Sequence, residues 1–268
     1  MKKNWNVYLK VGLILTGIMV FAALLGTFWT PYVPTAMKYG RFQAPSLAHL
    51  FGTDNFGRDI FSRVLKGTGT TLAIAFSTVS IGAIAGTLVG AITGYYGGWL
   101  DEALMRLNDA VTAFPSFLLA LLIVSLVGPG NKYSVVLALG LVFIPSFARI
   151  MRTEFRALRG QSFVTGARLM GAGDGRILLV HLLPNTLRVL LPAFTIGFNN
   201  AVLAEASLSF LGIGVTPPDA SLGYMLAEAQ SMLAAGPWYA LCTGLTIVLL
   251  VFGVGLLGEG LQDHAGDS

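Results

Sequence analysis

The chain has 268 residues, 54% of them hydrophobic and 11% charged, with a mean hydropathy of +0.73. Soluble domains carry about 25% charged residues, so these totals exclude an ordinary soluble globule and imply one polytopic membrane domain, all-α. Basic residues gathered on one membrane face account for the net charge of +4 without any nucleic acid, and a single cysteine, Cys242, excludes a disulfide or a cysteine-built metal site within the chain.

The N-terminal MKKNWNVYLK is basic, and an apolar run follows to Trp29. The run ends in GTFWTPY, without the small-residue pattern of a cleaved signal peptide, and so reads as a retained anchor. At roughly 20 apolar residues per span, six spanning helices are predicted, at about 9–29, 71–95, 111–128, 134–150, 187–211 and 237–257, with Pro145 interrupting the fourth. Residues 1–70 form the anchor and an extracytoplasmic segment; residues 71–268 form the core domain.

Segment 51–66 reads as a short helix on the outer surface. Ile60, Phe61, Val64 and Leu65 lie on one side of it, and Asp59 and Arg63 stand four apart, a spacing that permits an ion pair. The second span carries Gly82, Gly86, Gly90 and Gly94 on one face, where another helix can approach closely. That helix belongs either to this chain or to a second membrane subunit. Residues 99–115, with Asp101, Arg106 and Asp109, read as a polar helix at the cytoplasmic membrane edge.

Seven arginines lie between Arg149 and Arg188. Each costs about 2.5–3.5 kcal/mol at the centre of a spanning helix, so the segment is predicted to be an extramembrane loop. Inside it, at about 151–186, Phe163, Val164, Ala167 and Met170 recur at helical spacing, and Gly171, Gly173 and Gly175 break the helix. Asp174 is placed to N-cap a second helix through Ile177, Leu178, Val180 and Leu182, and Pro184 opposes its unbroken continuation. Such a knob either docks into a groove on a cytoplasmic partner or lies on the membrane surface.

The fifth span holds Asn199, Asn200, Glu205, Ser207 and Ser209. Glu205 and Ser209 share a helical face that Asn199 and Asn200 do not. An ionisable group inside a span marks either a structural hydrogen-bonding role or the wall of a pathway. Residues 217–235 suggest a turn and an amphipathic outer helix. With the N-terminus inside, 11 of the 17 Lys and Arg residues fall on the cytoplasmic side and 6 outside, which supports an N-in, C-in arrangement.

Nothing in the chain points to catalysis. It contains no Gly-Lys dipeptide, hence no phosphate-binding P-loop. His49, His181 and His264 fall in different predicted segments and read as polar surface or interfacial residues rather than metal ligands.

The stretch TGARLMGAGDGRILLVHLLPN (165–185) resembles the cytoplasmic coupling signature of bacterial ABC importer permeases: E-A-A, three residues, Gly, nine residues, I-x-L-P. Ala167, Gly171, Leu183 and Pro184 fall in register, while Thr165, Gly166 and His181 replace the Glu, the first Ala and the Ile. FGTDNFGRDIFSR (51–63), AFPSFLLAL (113–121), LAEASLSFLGIGVTPP (203–218) and LGEGLQDH (257–264) resemble the dipeptide, oligopeptide and nickel branch of that family. The resemblance implies a multi-pass permease of the bacterial plasma membrane that works with a second homologous permease, two cytoplasmic ATPases carrying ATP and Mg, and an extracytoplasmic substrate-binding protein. The chain itself would hold no cofactor. The implied ATPase-coupling residues are Thr165, Gly166, Ala167, Arg168, Gly171, Ala172, Asp174, His181, Leu183 and Pro184, and the cargo is a small peptide, or nickel or a metal chelate. A secondary transporter or channel working without an ATPase is the alternative function; a membrane enzyme or scaffold subunit is a third.

Overall fold

The structure, a computed structural model, describes residues 7–266. Lys2, Lys3 and the side chain of His264 lie outside the described residues. The elements are α1 (Val7–Phe28), α2 (Ile60–Tyr96), α3 (Gly98–Thr112), α4 (Ser116–Val127), α5 (Lys132–Arg159), α6 (Ser162–Leu169), α7 (Asp174–Arg176), a π-helical segment (Ile177–Leu182), α8 (Leu183–Phe210), α9 (Leu222–Gln230) and α10 (Pro237–Gly266). Among the described residues there is no strand, only two isolated bridges, Thr53 with Asp59 and Gly130 with Val215.

The glycines of α2 meet α5 of the same chain. A Cβ added at Gly82 would lie 2.7 Å from the Phe143 Cβ, one at Gly86 2.5 Å from that of Phe147, one at Gly90 2.7 Å from that of Met151, and one at Gly94 2.9 Å from that of Phe155. Both series advance four residues at a time, so the two helices run parallel with an α5 ridge seated in an α2 groove. Phe147, Met151 and Phe155 are buried there. A second set of close contacts pairs α1 with α10, where Gly12 meets Leu256 and Leu257, and Gly260 meets Leu9.

α2 begins at Ile60 and runs unbroken for 37 residues. The expected short surface helix at 51–66 is therefore a loop followed by the start of a span, and a division at residue 70 falls inside α2. Asp59 explains the start. Its Oδ2 accepts from the Ser62 backbone N–H at 2.7 Å and caps the helix. Its Oδ1 lies 2.8 Å from His49 Nδ1, so Asp59 does not pair with Arg63 and His49 is buried rather than superficial.

Arg63 turns instead into a buried polar knot. Asp54 Oδ2 accepts from Arg58 Nε and Arg63 Nη1, both at 2.6 Å. Glu228 of α9 accepts from Arg58 Nη2 at 3.0 Å, Arg63 Nη2 at 2.7 Å and the Tyr239 hydroxyl at 2.8 Å. The knot joins the 30–59 loop, α2, α9 and α10. α9 packs inward, with Leu222, Met225 and Ala229 buried.

The third predicted span is not a straight helix. α3 and α4 meet at 85°, and α4 has 12 residues, about 18 Å, which is short of a hydrocarbon core of about 30 Å. Pro115 disfavours the helical conformation at Phe114 and supplies no N–H, so the chain turns there. Five other rods are long and apolar enough to cross a membrane: α1, α2, α5, Asp174–Phe210 and α10. With the bent pair counted as one, the candidate spans among the described residues number six.

α5 continues through Pro145 to Arg159, so Arg149, Arg152, Arg156 and Arg159 sit on a helix rather than in a loop. Arg152 grips Asp101 of α3 through Nε at 2.5 Å and Nη2 at 2.6 Å, and Arg149 reaches Asp109 at 3.0 Å. The true interruption is short, residues 160–173, and contains α6. The contacts of α1 with α10 and the proximity of Arg188 to Gln262 place the first described turn of α1 and the last of α10 at this same arginine-bearing end.

Gly86→Leu forces α2 and α5 apart, since its Cβ alone meets Phe147 Cβ at 2.5 Å and Ile144 O at 2.8 Å. A loss of about 2 kcal/mol or more is expected, read as a lowered unfolding midpoint in detergent; an unchanged midpoint would show that the seam does not hold the bundle. Burial pushes the Glu228 carboxyl up, but the Arg63 and Arg58 guanidiniums outweigh burial and hold it below its ordinary range. A depressed folded value adds stability that is complete above the unfolded glutamate pKa of about 4.3 and fades as pH falls through the folded value. Acidification through this window should lower the thermal midpoint of the wild type, and Glu228→Gln should lose less over the same interval. Equal losses in the two proteins would remove Glu228 from the knot's pH response.

Candidate functional site

The resemblance-bearing stretch 165–185 is built from two helical pieces around a glycine turn. Val164 and Ala167 of α6 are buried against Ile177, Leu182, Met151 and Phe155, while Phe163 is partly exposed and Met170 fully so. α6 ends in a Schellman turn. The Ala172 N–H donates to Ala167 O at 3.0 Å and the Gly171 N–H to Arg168 O at 2.9 Å, with Gly171 at φ +83°. No heavy atom lies within 4 Å of the place a Gly171 Cβ would occupy, so backbone conformation alone demands glycine there. Leu169 and Met170 beside it are 85% and 84% exposed, an apolar tip on a polar end of the molecule.

Asp174 is not the N-cap. Gly173 holds that position, and Asp174 opens the helix as its first residue. Its Oδ1 accepts instead from the Tyr95 hydroxyl at 2.5 Å. Gly175 lies within α7 rather than breaking it. Pro184 does not end the second helix either: Asp174–Phe210 forms one rod. The rod widens into a π turn just before the proline, where the Leu183 N–H reaches back five residues to Leu178 O. Pro184 thereby falls in the first turn of α8, where a missing N–H is tolerated. Asn185 Nδ2 donates to His181 O at 2.6 Å across the same turn.

Tyr95, which the sequence reading passed over, is where three elements meet. Its hydroxyl donates to Asp174 of α7 and accepts from Arg168 Nη2 of α6 at 3.0 Å. Its carbonyl accepts from Arg159 Nη1 of α5 at 2.5 Å. The ring is buried, while the Asp174 and Arg168 side chains are exposed. The GYYGG sequence at the end of the second span was the available signal, a polar-tipped aromatic at a helix end.

The polar residues of the fifth span separate into four places, one of them an exposed face where Ser207 Oγ donates to Leu203 O at 2.7 Å. Glu205 and Ser209 are fully buried. Glu205 accepts from Thr71 Oγ1 of α2 at 2.9 Å and from Ser209 Oγ at 2.7 Å. Ser209 Oγ accepts from the Val215 N–H at 2.9 Å, and Thr71 Oγ1 from the Leu222 N–H at 3.3 Å. Asn199 faces α10 near Gly255. Asn200 is exposed on the wall of a cavity of about 420 Å³ between α5 and α8, with Ser146, Ile150, Arg188, Ile196 and Gln262.

A family profile described as "Binding-protein-dependent transport system inner membrane component" matches residues 86–265. The chain is 38% identical to the dipeptide transport system permease protein of Alkalihalophilus pseudofirmus over 255 residues, 94% of this chain and 83% of that one. It is 38% identical to the glutathione transport system permease protein of Pectobacterium atrosepticum over 269 residues, 98% of this chain and 89% of that one. Its fold resembles an inward-facing structure of the MetNI methionine ABC transporter with a TM-score of 0.60 at 20% identity, over 76% of this chain and 96% of that one. Such relatives are permease subunits rather than enzymes, which removes the membrane-enzyme and ATPase-free transporter readings. The chain belongs to the binding-protein-dependent transport system inner membrane component family and is a permease subunit of an ABC importer.

Proposed function

We propose that this permease passes a small peptide, of dipeptide to tripeptide size, through a complex with a second homologous permease, two cytoplasmic ATPases that bind ATP and Mg, and an extracytoplasmic binding protein. The observation that carries the cargo is the dipeptide and glutathione transport named for relatives that match nearly the whole chain. It favours peptide over nickel or a metal chelate. The arginine-bearing end faces the cytoplasm, in keeping with the excess of basic residues there.

The ATPase contact is the α6–α7 turn. Exposed Leu169 and Met170 offer an apolar tip that fits a groove on a partner. Thr165, Gly166, Ala167, Arg168, Gly171, Ala172 and Asp174 shape and orient that tip, and His181, Leu183 and Pro184 carry it into α8 across the π turn. Thr165, exposed where the signature has Glu, meets the partner without a carboxylate. Asn200 belongs to the pathway wall. Glu205 and Ser209 serve as an internal clasp between α2 and α8, and Asn199 as a packing group against α10.

The test is uptake of a radiolabelled dipeptide into vesicles holding the complete complex. Wild-type vesicles should import it only with ATP inside and binding protein outside. Gly171→Leu strains a left-handed position by about 1–3 kcal/mol and should separate hydrolysis from uptake, or release the ATPase, while the chain stays in the membrane. Wild-type uptake by this variant would remove the turn from coupling. Glu205→Gln keeps one acceptor oxygen and offers an N–H to the second hydroxyl oxygen in place of the other, and should retain uptake. Glu205→Leu leaves both hydroxyls buried without an acceptor, at about 1–3 kcal/mol each, and should lower the unfolding midpoint. Loss of uptake in a well-folded Glu205→Gln protein would instead assign a charge-dependent role.

A further inference from the structure

α2 and the Asp174–Phe210 rod touch in their outer halves and part toward the arginine-bearing end. Glu205 ties the rod to Thr71, and Gly197 packs near Val79. Beyond that point an apolar groove of about 720 Å³ opens between Ala83–Ile92 of α2 and Leu178–Leu190 of the rod. At the groove's end the two helices are joined again, by the Tyr95 hydroxyl on Asp174. The covalent chain delivers α6 to α5 and α7 to α8, but never to α2. A polar bond at the tip of α2, beside the packing of the Tyr95 ring, therefore ties that helix to the turn.

We propose that Tyr95 is the positioning residue that transmits motion of the α6–α7 turn to α2, acting as a two-sided latch between Asp174 and Arg168. The proposal rests on the ATPase-contact reading above. Three features support transmission rather than mere stability. The hydroxyl is donor to one piece of the turn and acceptor to the other, so it engages both at once. Its two partners are exposed, so water replaces the hydroxyl when it is absent and no buried group is orphaned. The ring packs with Met151, Phe155, Val164 and Ile177, contacts that phenylalanine preserves. From Tyr95 the glycine seam then carries displacement from α2 to α5 without slack, because Gly94 meets Phe155 Cβ and Arg152 O.

The experiment is Tyr95→Phe in the complete complex, with peptide imported per ATP hydrolysed as the readout. Assembly and membrane level should match the wild type, while this ratio falls by about threefold or more. Asp174→Ala, which opens one side of the latch, should lower the ratio too, and the double variant should fall no further than Tyr95→Phe, because that change already removes the Asp174 bond together with the Arg168 bond. A second measurement does not depend on the cargo. Spin labels at positions 96 and 176, with Cys242 replaced by Ser, report the distance between α2 and the turn with and without ATP. In the wild type the distance holds across nucleotide states; in Tyr95→Phe it spreads. An unchanged ratio and an unchanged distance in Tyr95→Phe overturn the latch, and so does failure of that variant to assemble, which would make the bond structural. If the wild-type complex shows the distance behaviour but imports no dipeptide, the peptide reading falls and the latch stands. If no ATPase engages the turn, both fall.

Discussion

The groove of four glycines on α2, filled by Phe143, Phe147, Met151 and Phe155 of α5, is the contact from which the rest of the arrangement follows. In a bilayer there is little hydrophobic gain in bringing two apolar helices together, because lipid tails are as apolar as the partner. What remains is dispersion between closely fitted surfaces, and that falls steeply with separation. Glycine removes the side chain that would hold the backbones apart, and the bulky residue opposite fills the space. Because the match repeats at every turn from Gly82 to Gly94, the two helices pack as one body. α3 then attaches through Arg152 and Asp101, and α6 and α7 lie across the ends of both.

Polar groups close the structure at each end of this body. On one side, Asp54, Arg58, Arg63, Glu228 and Tyr239 satisfy one another where four segments converge. Buried ion pairs of this kind add little net stability over well-packed apolar residues, but removing one partner is costly, so they specify one arrangement against others. On the other side, Asp101 with Arg152 is largely covered, but Asp109 with Arg149 is exposed, and the buried Tyr95 ends on the exposed Asp174 and Arg168. The exposed ties exchange readily with water. The two ends of the bundle thus differ: one is held by a buried polar knot, the other in part by ties that reach water.

Much of this architecture was legible in the residues themselves. The apolar runs found each span, and the spacing of Gly82, Gly86, Gly90 and Gly94 exposed a packing face, but polar ends hid the full lengths: α2 starts at Ile60 rather than 71, α5 runs to Arg159 rather than 150, and the rod of the fifth span starts at Asp174 rather than 187. The helix that fills the face was not legible, since one sequence cannot tell a neighbour in the chain from a neighbour in another. Local rules failed where a distant partner competed. The spacing of Asp59 and Arg63 allowed a pair, but the start of α2 needed Asp59 as a cap, and Arg63 found Glu228, 165 residues away. Seven arginines suggested a long loop, although four of them ride on the end of α5. Pro184 signalled a helix end, because propensity scales do not count a π turn among the ways of housing a proline. The candidate turn was legible as a motif; its link to α2 was not, because Tyr95 lies outside the motif.

The π turn at Ile177–Leu182 has a consequence for chain length. Each residue of an α-helix advances the azimuth by about 100°, so the face that Asp174 presents depends on how many residues separate it from Pro184. The wider turn absorbs an amount of winding that ordinary helix would not. Deleting one residue from it would let ordinary helix replace the wide turn and leave Asp174 facing Tyr95, because six residues of the wider winding turn through about as much as five at roughly 100° each. Deleting one residue from regular helix between Asp174 and Pro184 would instead turn Asp174 by about 100°, so the π turn is a place where the residue count can change by one without re-aiming that side chain.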